Sequence, residues 1–129
     1  MMKLLSVLAT SAMLAIAAVP AAYAFEFKAY DAGTVNAAIA SGQPVVIHVF
    51  APWCLQCRAQ QTIMERLSTD TSYDGVSFYR VDYDNQKDAV KALDTPRSTL
   101  VAYNGGVEVA RMSWGTSTQA VVSVLDAAK

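Results

Sequence analysis

The seven residues at positions 44–50, PVVIHVF, constrain the fold more than any other stretch of the chain. β-Branched and apolar side chains follow one another without polar alternation, so neither face of the segment is written for water. Such a run reads as a central strand of a parallel sheet, covered on both faces. After Ala51, Pro52 and Trp53 the period changes. Leu55, Ile63, Met64 and Leu67 stand among Arg58, Gln60, Gln61, Glu65 and Arg66, the pattern of an amphipathic helix that starts near Cys54. A buried strand therefore turns into a helix at the sequence WCLQC.

Cys54 and Cys57 are the only cysteines in the chain. A disulfide between them closes a ring of a few residues and constrains the unfolded chain little, so a structural staple is a poor use of this spacing. Their position suggests chemistry instead. The first turn of a helix has unpaired N–H groups and a partial positive charge that stabilise an anion, and a thiolate at that place becomes nucleophilic near neutral pH. Cys57, one turn on, is close enough to attack a mixed disulfide formed at Cys54. The expected roles are Cys54 as attacking thiol and Cys57 as resolving thiol.

The other segments arrange themselves around this unit. Residues 25–30 alternate as a first strand, and AGTVNAAIASG reads as a helix closed by Gly42. A strand from Val76 to about Asp82 precedes a short helix around residues 86–93. STLVAY, NGG and VEVARM form a hairpin that turns at residues 104–106, and Ser117 caps a final helix carrying Val121, Val122 and Leu125. The order is βαβαβαββα, an α/β domain whose central mixed sheet has helices on both faces. No repeat, linker or low-complexity tract interrupts it.

Residues 1–24 read as a secretory signal, with Lys3, a charge-free apolar stretch, and the small-x-small triplet Ala22-Tyr23-Ala24. The apolar run from Leu4 to Val19 is short for a bilayer span and is followed by Pro20. Cleavage after Ala24 leaves residues 25–129, enough for one compact domain. Without Lys3, nine basic residues face eleven acidic ones, with no basic run, which argues against nucleic acid and against an anionic membrane surface. The expected product is an exported, periplasmic protein that is not embedded in the membrane and acts as a monomer.

WCLQC after a buried strand, within this element order, resembles the redox motif of the thioredoxin family. The likeness runs from GQPVVIHVFAPWCLQC through STLVAYNGG to the last helix. It implies a thioredoxin fold and a thiol-disulfide oxidoreductase that needs no cofactor or metal and exchanges with protein or small-molecule thiols. Trp53 matches the tryptophan flanking the first cysteine, Phe50 an aromatic position beside the site, and Trp114-Gly115 a loop next to the cysteines. Trp114 also reads as a packing residue at the base of the last helix.

Two positions leave the family pattern. His48 stands six residues before Cys54, where thioredoxins carry a buried acid thought to help deprotonate the resolving cysteine. It reads either as a core histidine bonded to a carbonyl or as the proton acceptor for Cys57. Arg80 on the neighbouring strand resembles the place of a family lysine, although an arginine on a strand is ordinarily a solvated edge charge. The second departure is LDTPRSTLVAYNGG. Aligning its hairpin on the family puts Ser98 at the position of the family's cis-proline. Either a shift of one or two residues lets Pro96 serve, with a cis bond after Thr95, or Arg97-Ser98 forms the loop facing the cysteines, with Ser98 trans, which is the expected reading. Arg97 then either approaches the thiolates or is a solvated loop charge, and Trp53, Arg97, Ser98 and Trp114 form the expected substrate-binding face.

The family's cis-proline is thought to keep metals and iron-sulfur clusters off the CxxC thiols, so a metal-binding module is one rival reading. A redox-silent interaction module is another. Structural zinc needs four ligands, more than two cysteines and a poorly placed histidine supply, and Met64 and Met112 fit packing positions. The small size leaves no room for the inserted helical domain of strong oxidants in the family. A small soluble reductant, or a partner of one dedicated membrane electron donor, is the expected reading.

Overall fold

The computed structural model describes residues 25–129 as a continuous stretch, together with the isolated positions 15 and 17. The expected signal segment lies outside the described residues. The elements are β1 (Phe27–Ala29), α1 (Ala32–Ala40), β2 (Val45–Phe50), α2 (Leu55–Arg66), a 3-10 turn (Thr71–Tyr73), β3 (Ser77–Asp82), α3 (Lys87–Leu93), β4 (Thr99–Asn104), β5 (Val107–Ser113) and α4 (Thr118–Ala128). The sheet order is β1-β3-β2-β4-β5. β3 runs parallel to both β1 and β2, while β2/β4 and β4/β5 are antiparallel.

The apolar run at positions 45–49 is in the centre of the sheet, and all five residues are fully buried. Strand alternation divides it between two cores. Val46 faces one way, with Phe78, Leu100, Ala102, Ile63 and Met64 of α2, and Val121, Val124 and Leu125 of α4. Val45, Ile47 and Val49 face the other way, against Val35 of α1 and Val90 and Leu93 of α3. Burying each valine or isoleucine of β2 is worth about 1.5–3 kcal/mol relative to exposure, so this strand anchors both layers. His48 shares the face of Val46 and points into the layer beneath α2.

Local chemistry sets the ends of the elements. Asp31 caps α1 by accepting from the Thr34 N–H at 2.9 Å, and Ser117 caps α4 by accepting from Ala120 N–H at 3.1 Å. Gly105 and Gly106 both take positive φ, 62° and 86°, in the two-residue turn of the β4–β5 hairpin, a geometry that glycine adopts without steric cost. β1 is shorter than the alternation of residues 25–30 suggests. Phe25 leaves the ladder and buries its ring edge-on against Phe78, 4.3 Å between centroids, while Tyr30 still donates its N–H to Arg80 O at 2.9 Å.

Candidate active site

β2 ends by delivering the chain, through Ala51-Pro52-Trp53, to the first turn of α2. Cys54 is the N-cap residue, with extended φ and ψ of −84° and 113°, and it is joined to Cys57 by a disulfide. Its Sγ lies 3.2 Å from the Cys57 N–H, which donates to it. The sulfur thus occupies the place where a side-chain oxygen usually satisfies an orphan helix amide. On reduction the same amide and the helix dipole face a thiolate and favour its ionised form. Both cysteines are enclosed. Cys54 retains 2% exposure beside the exposed Trp53 and Leu55, whereas Cys57 is completely covered and has its Sγ 3.9 Å from Val49 O. Cys54 is thus the more accessible of the two sulfurs.

The structure brings His48 into the layer beneath α2. It is fully buried, its Nε2 is 3.0 Å from Gln60 Oε1, and its Nδ1 has no hydrogen-bond partner among the described residues. Burial, reinforced by the positive charge of Arg80, pushes its pKa down to about 3 although the bond to Gln60 acts in the opposite direction. Arg80 is not the solvated edge charge that its residue type suggests. It is aligned with His48 across the β2/β3 ladder, and its guanidinium lies between two rings, 4.2 Å from the Phe27 centroid and 4.5 Å from that of Phe50. Its Nε and Nη2 are buried without hydrogen-bond partners among the described residues. Two aromatic faces hold the cation, and the charge of Glu65 on α2 favours it.

Across from the cysteines, the loop before β4 contains no cis peptide bond, nor does any other described segment. Ser98 is trans, as expected, but takes a left-handed φ of 60°. Its N–H donates to Val49 O at 2.9 Å, the carbonyl that also lies beside Cys57 Sγ, so the Ser98 backbone reaches the redox pair. The side chain is fully buried and its hydroxyl has no partner among the described residues. Arg97 is half-buried rather than free in solvent, with its guanidinium 4.9 Å from the Trp53 ring and 4.8 Å from the Trp114 ring. Trp53 is itself anchored by donation of its indole N–H to Asp84 Oδ2 at 2.8 Å. Trp114, also at a left-handed φ of 67°, remains 43% exposed. Trp53, Arg97 and Trp114 thus form one continuous face beside Cys54.

A family model described as Thioredoxin matches residues 26–127. The chain belongs to the thioredoxin family. It is 36% identical over 84 residues to Thioredoxin-2 of Saccharomyces cerevisiae, covering 64% of this chain and 79% of the yeast protein. It is 32% identical over 92 residues to Thioredoxin-1 of the same organism, covering 67% and 82%. Among solved structures, Trxlp from Edwardsiella tarda superimposes with a TM-score of 0.72 at 31% identity, covering 78% of this chain and 98% of that one. Thioredoxin O2 from Arabidopsis thaliana in its oxidised state gives 0.63 at 26% identity, with 78% and 91% covered. With a thioredoxin fold around a Cys54–Cys57 disulfide, the protein is a thiol-disulfide oxidoreductase.

One residue of this thioredoxin site escaped the sequence reading. Gln60, placed with the polar face of α2, is fully buried, while Leu55, placed with the apolar face, is 74% exposed. The Gln60 side chain spans the core: Nε2 donates to Ser98 O at 3.1 Å and to Gly115 O at 2.9 Å, and Oε1 meets His48. The spacing carried a signal, because Cys57, Gln60 and Met64 lie at i, i+3 and i+7, one stripe of a helix. Among the described residues no group of three or more His, Cys, Asp and Glu side chains stands together as a metal-holding set.

Proposed function

We propose that this thioredoxin acts outside the cytoplasm as a reductant of protein disulfides, using Cys54 as nucleophile, Cys57 as resolving thiol and His48 as the proton acceptor for Cys57. The disulfide at the N-terminus of α2, with Cys54 Sγ already bonded to a helix amide, carries the reading. In the reduced protein the Cys54 thiolate attacks a substrate disulfide. A Cys54–substrate S–S bond forms, the substrate S–S bond breaks and one substrate thiolate leaves. Cys57 then gives its proton to His48 and attacks Cys54 Sγ. The mixed disulfide breaks, the second substrate thiolate leaves and takes up the proton that His48 gives back, and Cys54–Cys57 is oxidised by loss of the two electrons the substrate gains. An external dithiol, such as that of a membrane electron donor, restores the reduced form.

Burial and Arg80 keep the imidazole neutral in the disulfide form, so its free lone pair is always present. A Cys57 thiolate in the same layer is the charge that favours the imidazolium, and transfer and attack are therefore coupled. The exposed rings of Trp53 and Trp114, with Arg97 between them, supply the docking face, and Ser98 supplies backbone beside the sulfurs. Export rests on the pattern of residues 1–24 and monomeric action on the completeness of the site within one chain.

The test is redox equilibration against glutathione with trapping of free thiols. A potential well below the secretory-compartment poise of about −180 to −210 mV supports a reductant, and one above it reverses the direction. His48→Ala should slow resolution of a trapped mixed disulfide; an unchanged rate removes the base. Export is checked by fractionation and by sequencing the mature N-terminus, expected at Phe25.

A further inference from the structure

We propose that Gln60 is a positioning residue that fixes the imidazole proton of His48 on Nε2 and so reserves Nδ1 as the proton-accepting atom of the resolving step. The proposal rests on the base reading of His48 given above, and its logic follows from hydrogen-bond directions. A glutamine amide has two donor hydrogens on nitrogen and only acceptor capacity on oxygen. In Gln60 the nitrogen faces two backbone carbonyls, Ser98 O at 3.1 Å and Gly115 O at 2.9 Å. The reversed amide would set its oxygen against those two carbonyl oxygens, with no proton between any pair. The orientation is therefore fixed, and Oε1 is the atom that meets His48 Nε2 at 3.0 Å. An acceptor-only oxygen at that distance demands a proton on Nε2. A neutral imidazole has one such proton, which leaves the buried Nδ1, without a partner among the described residues, with its lone pair free.

The anchoring is rigid because both carbonyls belong to constrained loops. Ser98 and the residue before Gly115, Trp114, each hold a left-handed backbone, and Trp114 N–H donates to Ser98 O at 2.8 Å. Gln60 thus ties α2, the Ser98 loop and the Trp114 loop to one imidazole nitrogen. The groups facing His48 from the surrounding elements leave this assignment undisturbed. β1 presents Phe27 and β4 aligns Leu100 with it. β3 presents Arg80, a cation without acceptor capacity that itself feels Glu65 of α2. α2 also carries Cys57, the proposed donor, one turn before Gln60.

His48 is the only histidine in the sequence, so ¹⁵N-histidine labelling reports on it alone. Long-range ¹H–¹⁵N spectra of the disulfide form at neutral pH should show Nε2 protonated and Nδ1 bare; an Nδ1–H tautomer overturns the proposal without any substitution. Gln60→Leu should mix the tautomers and slow resolution of a trapped mixed disulfide on the order of ten- to a hundredfold, the scale of a misplaced general base. In a His48→Ala background the same substitution should add little further slowing. Equal slowing in both backgrounds marks a purely structural glutamine and overturns the positioning role. Failure of the base reading is distinguishable: it appears as unimpaired resolution in His48→Ala alone, and it sinks the catalytic half of the proposal while the wild-type spectrum still shows Nε2–H.

Discussion

Lowering the pH from 7.5 to 4.5 should weaken the disulfide form through a single group. His48 is fully buried and its pKa is pushed down to about 3, against about 6.5 in an unfolded chain. Between those values the unfolded chain binds a proton that the folded protein refuses. The neutral imidazole's contribution is therefore complete above pH 6.5 and is lost progressively as pH falls towards 3. The limiting slope is about 1.4 kcal/mol per pH unit, so the fall from 6.5 to 4.5 removes roughly 2–3 kcal/mol. The carboxyls of Asp31, Asp70, Asp82 and Asp126 are held below their usual range by hydrogen bonds, led by those from Thr34, Ser72, Asn85 and Tyr73 respectively. Their stabilisation starts to be lost only below about pH 5 and remains the smaller part of the loss at about pH 4.5. Urea unfolding at half-unit pH steps is the assay, and at a typical slope for a small domain the midpoint should fall by roughly 1–2 M across the window. His48→Gln, which keeps a donor for Gln60 Oε1 but does not titrate, should be less stable at pH 7.5 and nearly flat between 6.5 and 4.5. A wild-type loss below about 1 kcal/mol, or an equal loss in His48→Gln, refutes the buried-neutral reading.

Three further substitutions probe the surroundings of the site. Gly115→Ala places a methyl 2.5 Å from Met112 Sδ and 3.0 Å from Ala120 Cβ, and should cost about 1–3 kcal/mol of unfolding free energy in urea titrations. Arg97→Ala removes the cation between Trp53 and Trp114; kcat/KM for a protein disulfide should fall several-fold, on the order of 1 kcal/mol for two ring contacts, with a small aromatic disulfide much less affected. Arg80→Met takes away a positive charge that opposes protonation of His48, so the histidine pKa followed by NMR should rise, and no rise would remove Arg80 from the account of its depression.

Much of the architecture was legible because it depends on local periodicity and turn chemistry. The unbroken run at 45–49 announced a doubly covered strand, the glycine pair announced the hairpin, and Ser117 and Gly42 marked helix ends. Cys54 and Cys57 followed from their place between strand and helix. What was not legible depends on partners far along the chain. Gln60 looks like a surface residue until the Ser98 and Gly115 carbonyls, 38 and 55 residues away, are brought to its amide. Arg80 looks like an edge charge until Phe27 and Phe50 close over it. Alignment placed Ser98 opposite the cysteines, yet nothing in a serine signals a left-handed backbone, which here is fixed by the Ser98 N–H bond to Val49 O and the Trp114 N–H bond to Ser98 O.

Replacing the family's buried acid with an imidazole changes what the pH dependence of turnover should look like. A carboxylate that accepts a proton becomes neutral, which burial favours; an imidazole that accepts one becomes a cation, which burial and Arg80 oppose. The proton can rest on His48 only while the Cys57 thiolate supplies the opposite charge, and it must leave as the disulfide re-forms. No ionisation of the buried base should therefore appear between pH 5 and 8. The kcat/KM profile for a protein disulfide should follow one group, the Cys54 thiol, rising with pH to a plateau, since kcat/KM reports ionisations of the free enzyme. His48→Asp should introduce a second ionisation, because a carboxyl in that apolar layer has its pKa raised towards the working range. A second ionisation already present in the wild type and abolished by His48→Ala would mean that His48 titrates in the reduced enzyme, and the account of a base kept neutral by its surroundings would fail.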